Sequence, residues 1–314
     1  MDAVIPSVTP RAEKKTFLTY LKRDKWLYIL LVPGCLYFLV FKYVPMWGVV
    51  IAFQDYSPFL GVFGSAWVGF QNFTDFFINP DFIRLLVNTL ILSAMNLVFF
   101  FPMPIILALM LNELTNQLFK RTVQTVIYVP HFISMVIVVS ITYVLLNTTG
   151  GPVNGILQST LGHKVDFLGS TAWFRPLIII QVIWKETGWG TIIFLAAIAG
   201  VDQELYEAAI VDGAKRFRQL LHITLPAILP TIVVMLIMRM GYVLDNGFEQ
   251  VFLMRNSLNG RVADVFDVYV YNMGITQGAF SYSTAVGLFK AVVGLILVKC
   301  SDLLAKRVGQ SGIL

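Results

Sequence analysis

A charged segment from Tyr206 to Pro226 lies between two long apolar runs. In its first half, Ala208 and Ala209 form a small-residue face, which lets another protein surface approach a helix backbone closely. Gly213 follows, and because glycine reaches positive φ without steric cost, we expect a sharp turn there. The basic second half is predicted to form another short helix. The segment is therefore suited either to docking on another protein or to resting on lipid headgroups.

Three basic side chains, Lys185, Arg239 and Lys290, fall inside apolar runs, where Glu186 is the only carboxylate of comparable depth. A charge at that depth costs at least about 2.5–3.5 kcal/mol on insertion scales unless it is paired or faces water. We therefore expect these groups either to line an interior cavity or to form ion pairs. The partners would be Glu186, Asp245 or a second subunit.

Catalytic chemistry has little to build on in this sequence. There is no Gly-x-x-x-x-Gly-Lys-Ser/Thr phosphate loop, so the polypeptide is not expected to bind and hydrolyse ATP by itself. The two cysteines lie in or beside apolar runs and the three histidines are scattered, so neither a disulfide framework, a metal site nor a catalytic triad is predicted. We expect His131 to be a polar side chain satisfied between helices rather than a proton relay.

The composition places these groups in a membrane protein. Of 314 residues, 57% are hydrophobic and 13% are charged, which is too apolar for a soluble globular protein. We predict an all-α integral membrane protein with a basic tail over residues 1–25, a membrane domain over 26–307 and a short tail over 308–314. Its six predicted spans are about 26–53, 85–111, 122–146, 174–200, 225–244 and 284–304, and its large inner loop is 201–224.

The fourth predicted span carries Lys185 and Glu186 in its middle, so the sequence is compatible with one bent helix or with two shorter pieces. With six spans and the N-terminal tail inside, fourteen Lys and Arg residues fall on the inner side and five on the outer side. This asymmetry agrees with the positive-inside rule. It predicts that the segment from Tyr206 to Pro226 lies in the cytoplasm, and that both tails are cytoplasmic.

The spacing within the charged segment carries a resemblance to a known family. Glu207-Ala208-Ala209 is followed by Gly213 four positions later, and then, after nine residues, by Ile223-Thr224-Leu225-Pro226. This pattern resembles the EAA loop of permease subunits in binding-protein-dependent ABC importers. The stretches 43–48, 52–56, 67–69 and 72–73, together with Asn88-Thr89, are similar to the carbohydrate-uptake members. They look most like permeases for complex and often acidic oligosaccharides, such as pectin or alginate fragments.

The resemblance implies a type I importer permease fold and a non-catalytic role in the bacterial cytoplasmic membrane. It implies a second, related permease, two cytoplasmic ATPase subunits that bind ATP and Mg, and an external solute-binding protein. No cofactor in this chain and no nucleic-acid partner are implied. The residues that would couple the chain to the ATPase are Glu207, Ala208, Ala209, Asp212, Gly213, Ala214, Ile223, Leu225 and Pro226.

The expected substrate is an oligosaccharide, and a cationic cavity would favour one built from uronic acids. Aromatic faces stack on pyranose rings, whereas amide groups bind hydroxyls. The candidates for the substrate path are Trp184, Lys185, Trp189, Arg239, Tyr242 and Asn246. Two alternatives stay open: a permease of the same type for glycerol phosphate, a polyamine or phosphate, or an ion-coupled secondary transporter, which would predict inverted repeats.

Overall fold

The computed structural model describes residues 24–307, 309 and 312 of the chain. The predicted tails over 1–25 and 308–314 therefore lie almost wholly outside the described residues. The chain divides into two compact units between Val50 and Ile51.

From residue 24 onward, the first unit consists of one apolar helical segment. Helix α1 (Lys25–Phe38) continues into a π-helical turn (Leu39–Tyr43) and then into a 3-10 helix (Val44–Phe53), which runs on into the second unit. No residue of α1 is buried, and its exposed side chains are almost all apolar. Such a surface is stable only against lipid or another protein.

The second unit is a helical bundle with one small antiparallel hairpin, in which β1 (Gln54–Asp55) pairs with β2 (Ala66–Trp67). Its helices up to the middle of the chain are α2 (Gly61–Gly64), α3 (Gln71–Ile78), α4 (Phe82–Met95), α5 (Pro102–Asn112), α6 (Gln117–Tyr128), α7 (Met135–Leu146) and α8 (Pro152–Leu161). They are followed by α9 (Thr171–Ala199), α10 (Gln203–Val211), α11 (Arg216–Gln219), α12 (Leu225–Gly241), α13 (Phe248–Met254), α14 (Gly260–Ala263), α15 (Phe266–Tyr271) and α16 (Phe280–Arg307).

Within the described ranges, four helical segments are long and apolar enough to cross a membrane: Lys25–Phe53, Phe82–Asn112, Thr171–Ala199 and Arg216–Gly241. A fifth arises if one bent pair of helices counts as a single span. Helix α16 covers the predicted sixth span. The predicted count of six crossings is thus not confirmed, and the orientation stays a prediction.

The predicted third span, 122–146, is not one straight helix. The helical stretches Gln117–Phe132 and Met135–Leu146 meet at an angle of 98°. Pro130 begins the irregularity because it has no N–H to donate, and Ile133 is extended. Ser134 then caps α7 with its side chain. This segment is either a broken span or a re-entrant loop, and the prediction that 122–146 crosses the membrane stays a prediction.

Helix α9 is the central element of the bundle. It is a single continuous helix of 29 residues despite Pro176, which settles the alternative that the sequence left open for the fourth span. Half of its apolar window is buried, more than in any other candidate span of the described chain. Its C-terminal half packs on α5 and α12 through a core that includes Phe194, Ile198, Ala108 and Ile228. This core lies between the charged pair Lys185-Glu186, in the middle of α9, and the segment that follows Ala199.

Candidate functional site

The segment from Gln203 to Thr224 has the helix-turn-helix form that the sequence predicts, and we call it the coupling segment. Helix α10 starts where the Asp202 carboxylate accepts a hydrogen bond from the Glu204 backbone N–H at 3.0 Å. It ends at Val211, and the turn that follows contains Gly213, whose φ of +75° favours glycine. The Ala214 N–H closes the turn onto the Ala209 carbonyl at 2.8 Å. Helix α11 and a π-helical turn then lead into α12.

Two side-chain contacts join parts of the coupling segment to one another. The hydroxyls of Tyr206 and Thr224 lie 2.9 Å apart, and Thr224 is buried. The Gln219 amide donates to the Ala214 carbonyl at 2.9 Å and so joins α11 to the turn. The attachment to the bundle is apolar, because Tyr206 and Ile223 pack against the core that includes Phe194 and Ile228.

The outer face of the coupling segment offers apolar and small side chains. Leu205 and Ala208 are exposed there, Val211 is 87% exposed and Phe217 is 73% exposed. Nine residues are expected to couple. Five of them are exposed, namely Glu207, Ala208, Asp212, Gly213 and Pro226, and four are partly buried, namely Ala209, Ala214, Ile223 and Leu225. An exposed apolar patch of this kind is typical of a protein or membrane contact.

Inside the bundle, Lys185 and Glu186 belong to a network that holds the bend of the third predicted span. Lys185 Nζ lies 3.1 Å from Glu186 Oε1 and donates to the His131 carbonyl at 2.6 Å. Glu186 Oε2 lies 2.7 Å from His131 Nδ1. The Trp189 indole stacks on the His131 ring at 4.4 Å between centroids. For Lys185 the structure thus favours the ion-pair alternative over a free cationic site.

Lys290 is also paired. Its ammonium group lies 2.7 Å from Asp245 Oδ1 and forms a second ion pair with Asp267. Asp245 was an expected partner. Asp267 was not an expected partner, because it lies in the segment between the fifth and sixth predicted spans. The fold of that segment brings Asp267 to α16. The same carboxylate accepts a hydrogen bond from the Asn246 backbone N–H at 3.1 Å.

Arg239 differs from both lysines. It makes no ion pair with any described residue. Its guanidinium carbon lies 5.5 Å from the centroid of the Phe100 ring, a cation–π contact. Sequence reasoning missed Phe100, because a phenylalanine in an apolar run carries no signal that distinguishes a ligand from a lipid-facing residue.

Arg239 and Tyr242 line two adjacent cavities at the end of α12. The larger cavity, ≈ 230 Å³, has otherwise apolar walls, among them Phe100 and Phe101. The smaller one, ≈ 10 Å³, also contacts Asn96 and Asn246. Asn246 is 5% exposed and its amide donates to the Thr89 carbonyl at 3.2 Å. Asn96 Oδ1 is buried and has no hydrogen-bond partner among the described residues.

The predicted substrate-path residues therefore do not form one group. Arg239, Tyr242 and Asn246 come together, and Tyr242 is 64% exposed. Trp184 and Trp189 are 48% and 46% exposed and line neither of these cavities. No group of three or more His, Cys, Asp or Glu side chains in the described part of the chain could hold a metal ion. Of the three basic side chains expected within the spans, Arg239 alone forms no ion pair with a described residue.

Comparison with known proteins gives consistent matches along the chain. Residues 100–310 match the family model described as binding-protein-dependent transport system inner membrane component. Protein LplB of Bacillus subtilis (strain 168) is 62% identical over 298 residues, which cover 95% of this chain and 94% of that protein. The polygalacturonan/rhamnogalacturonan transport system permease protein YteP of the same organism is 57% identical over 313 residues, covering 100% of this chain and 97% of the relative.

Two solved structures also match over nearly the whole chain. One is the crystal structure of a bacterial ABC transporter involved in the import of the acidic polysaccharide alginate, with a TM-score of 0.85 and 41% identity over 94% of this chain and 99% of that chain. Another is the bacterial alginate ABC transporter in complex with its alginate pentasaccharide-bound periplasmic protein, with a TM-score of 0.85 and 40% identity over 95% and 100% of the two chains. The chain belongs to the family of binding-protein-dependent transport system inner membrane components.

Proposed function

We propose that this chain is a permease subunit of an ATP-driven importer in a bacterial inner membrane, and that it carries acidic oligosaccharides. It forms half of the translocation path, and a second, related permease forms the other half. An external solute-binding protein delivers the sugar. Two cytoplasmic ATPase subunits bind ATP and Mg, and no cofactor belongs to this chain. The sugar class is supported by relatives whose names refer to polygalacturonan and rhamnogalacturonan, and by the alginate transporter structures.

The proposal of an acidic substrate rests on the environment of Arg239. A cation on a membrane span costs at least about 2.5–3.5 kcal/mol on insertion scales unless it is paired or solvated. Lys185 and Lys290 meet this cost with carboxylates of the chain itself. Arg239 makes no ion pair with any described residue, contacts the Phe100 ring and lines a cavity. Asp245 lines the adjacent small cavity, but its carboxylate is paired with Lys290. A uronate carboxylate would supply the missing counter-charge, and guanidinium groups bind carboxylates with two parallel hydrogen bonds.

Tyr242 and Phe101 beside this cation suit a sugar ring. The C–H face of a pyranose packs on an aromatic ring, while its hydroxyls need directional partners. Amide groups of Asn96 and Asn246 lie on the adjoining wall. A cavity of ≈ 230 Å³ is smaller than a typical ligand pocket of roughly 300–1,000 Å³. The second permease would supply the facing wall and complete the site.

Force for transport would enter through the coupling segment. Its exposed face, with Ala208 at the centre, would dock on the ATPase subunit, and Glu207 would meet polar or basic groups there. Closure of the ATPase dimer would move this segment, and Tyr206 and Thr224 would pass the motion to α12, which carries Arg239. The path would alternate between outward-facing and inward-facing states, biased by ATP binding at the partner.

The test is uptake by the complete importer in proteoliposomes, with oligogalacturonate and a neutral oligosaccharide of equal length as substrates. Arg239→Gln is expected to lower kcat/KM for the acidic sugar about tenfold or more, since charge-assisted hydrogen bonds are worth roughly 1.5–3 kcal/mol, and to leave the neutral sugar much less affected. Arg239→Lys keeps the charge and should retain part of the activity. Lys299→Gln, an exposed residue far along α16 that lines neither cavity, is the matched control.

Three results would contradict parts of the proposal. Equal loss for both sugars in Arg239→Gln would show that Arg239 does not recognise the charge of the sugar, and the proposal of an acidic substrate would fail. Stimulation of ATP hydrolysis by glycerol phosphate, phosphate or a polyamine, and by no sugar, would show that the substrate is not a carbohydrate. Uptake at the same rate without the ATPase subunits would point to the ion-coupled alternative.

A further inference from the structure

A second, larger cavity lies away from Arg239, between the coupling segment and the ends of two helices. Its volume is ≈ 600 Å³, within the range of roughly 300–1,000 Å³ typical of ligand sites. Unlike the cavity beside Arg239, it has mostly polar walls. They include Glu113, Gln203, Tyr206, Lys215, Arg216 and Gln219.

The position of this cavity relative to the apolar segments indicates its depth. Asn112 is the last residue of one candidate span, Ala199 the last residue of a second, and Arg216 the first residue of a third, and all three line the cavity. The cavity therefore lies where three apolar segments end, which is the level of the lipid headgroups. The predicted orientation puts this level at the inner leaflet, where anionic lipids attract basic groups.

The cavity has more positive than negative charge. Lys215 forms no ion pair with any described residue. Arg216 lies 3.7 Å from Glu113, but the two side chains are 70% and 39% exposed. An ion pair that is so long and so exposed contributes little. Both cations are therefore free to bind a stronger anion, and the Gln203 amide on the same wall is a further hydrogen-bond donor.

We propose that this cavity binds the phosphate headgroup of an anionic phospholipid. Basic pockets between membrane helices on the cytoplasmic side are typical of such sites. The lipid would leave most of the docking face accessible, because Gln203, Tyr206 and Ile210 line the cavity while Ala208 and Val211 are exposed on the other side of α10. Among the nine residues expected to couple, Ala214 is the one that also lines the cavity. A bound headgroup would join the ends of α5 and α9 to the coupling segment. Only this effect on coupling depends on the proposed function, and the binding does not.

The test is native mass spectrometry of the full chain in detergent, titrated with phosphatidylglycerol or phosphatidylcholine. The wild type is expected to bind phosphatidylglycerol more tightly. Lys215→Gln/Arg216→Gln should weaken that binding about ten- to thirtyfold, as expected for the loss of two cations at a membrane surface. Lys120→Gln/Arg121→Gln is the matched control, because it removes the same two residue types from α6, outside the cavity. It should bind like the wild type.

A second variant separates a shaped site from general attraction. Ala199→Phe keeps every charge but adds bulk to the cavity wall, so it should also weaken phosphatidylglycerol binding. Unchanged binding in Ala199→Phe and equal losses in both double variants would overturn the proposal in favour of non-specific attraction. Displacement of the lipid by millimolar inorganic phosphate would show that a free phosphate is the ligand and would overturn the lipid assignment. Neither result would affect the uptake test of Arg239.

Discussion

The hydroxyl of Tyr206 lies 2.9 Å from the hydroxyl of Thr224, and this contact joins the first helix of the coupling segment to the start of α12. Thr224 is 3% exposed, so its hydroxyl has little access to water. Tyr206 also packs against the core formed by Ile228 and Phe194. Moving Tyr206 away from Thr224 would leave a buried hydroxyl without a partner, which is costly. We therefore expect the two residues to move together.

Tyr206→Phe is therefore expected to reduce the coupling of ATP hydrolysis to uptake. It keeps the ring and removes only the hydroxyl, so the free energy of unfolding should fall by about 1 kcal/mol. The number of sugars transported per ATP, measured in proteoliposomes, should fall more than the rate of ATP hydrolysis. Thr224→Ser keeps a hydroxyl and serves as the control. A normal transport ratio in Tyr206→Phe would show that the contact is structural only.

Gly213→Ala tests whether the turn depends on backbone conformation. A Cβ at Gly213 would meet no atom within 4 Å, so sterics between side chains play no part. Its φ of +75° nonetheless disfavours a side chain, at a cost of roughly 1–2 kcal/mol. We expect weaker retention of the ATPase subunits on affinity-purified complex. Gly155→Ala, in helix α8 with equally open space, is the control and should be neutral or slightly stabilising. Equal retention in both variants would contradict the predicted turn requirement.

Much of this architecture follows from local sequence signals. The apolar runs predict the segments Phe82–Asn112 and Thr171–Ala199 to within a few residues, because an apolar run of that length is typical of a helix that crosses a membrane. The coupling segment is equally predictable, since Asp202, Gly213 and the residues between them combine an N-cap, a helix and a positive-φ turn. These features depend on neighbours in the chain and need no tertiary information.

The features that were not predicted depend on contacts between distant residues. Pro130 lies in an apolar run much like those around Pro104 and Pro176, yet only Pro130 precedes a 98° bend. At this bend the ammonium group of Lys185 donates to the His131 carbonyl, a contact 54 residues apart in the chain that the local sequence does not reveal. Likewise, Lys290 and Arg239 look alike in the sequence, and only the fold gives one of them two carboxylates and the other none among the described residues.

Glu186→Gln is expected to destabilise the protein through the network at this bend. Lys185 is 8% exposed and would lose its carboxylate partner, and a buried charge left unpaired is costly. Because the Glu186 side chain is 30% exposed, we expect a loss of about 1–3 kcal/mol, less than for a fully buried pair. Thermal unfolding in detergent would measure it as a lower Tm. Lys185→Met/Glu186→Gln removes both charges and should be more stable than Glu186→Gln alone, whereas additive losses would contradict this account.

Gly188→Ala tests the close approach of α9 to the helix before the bend. A Cβ at Gly188 would collide with the carbonyl oxygen of Ile127, which belongs to the backbone of α6 and has no rotamer to change. The two helices would have to separate, so we expect the free energy of unfolding to fall by roughly 1–3 kcal/mol. Because this shift would also strain the stacking of Trp189 on His131, tryptophan fluorescence should change together with Tm. Gly287→Ala in α16, where a Cβ meets nothing within 4 Å, is the control and should leave both unchanged. Wild-type Tm and fluorescence in Gly188→Ala would show that α9 and α6 are not held at this distance in the membrane.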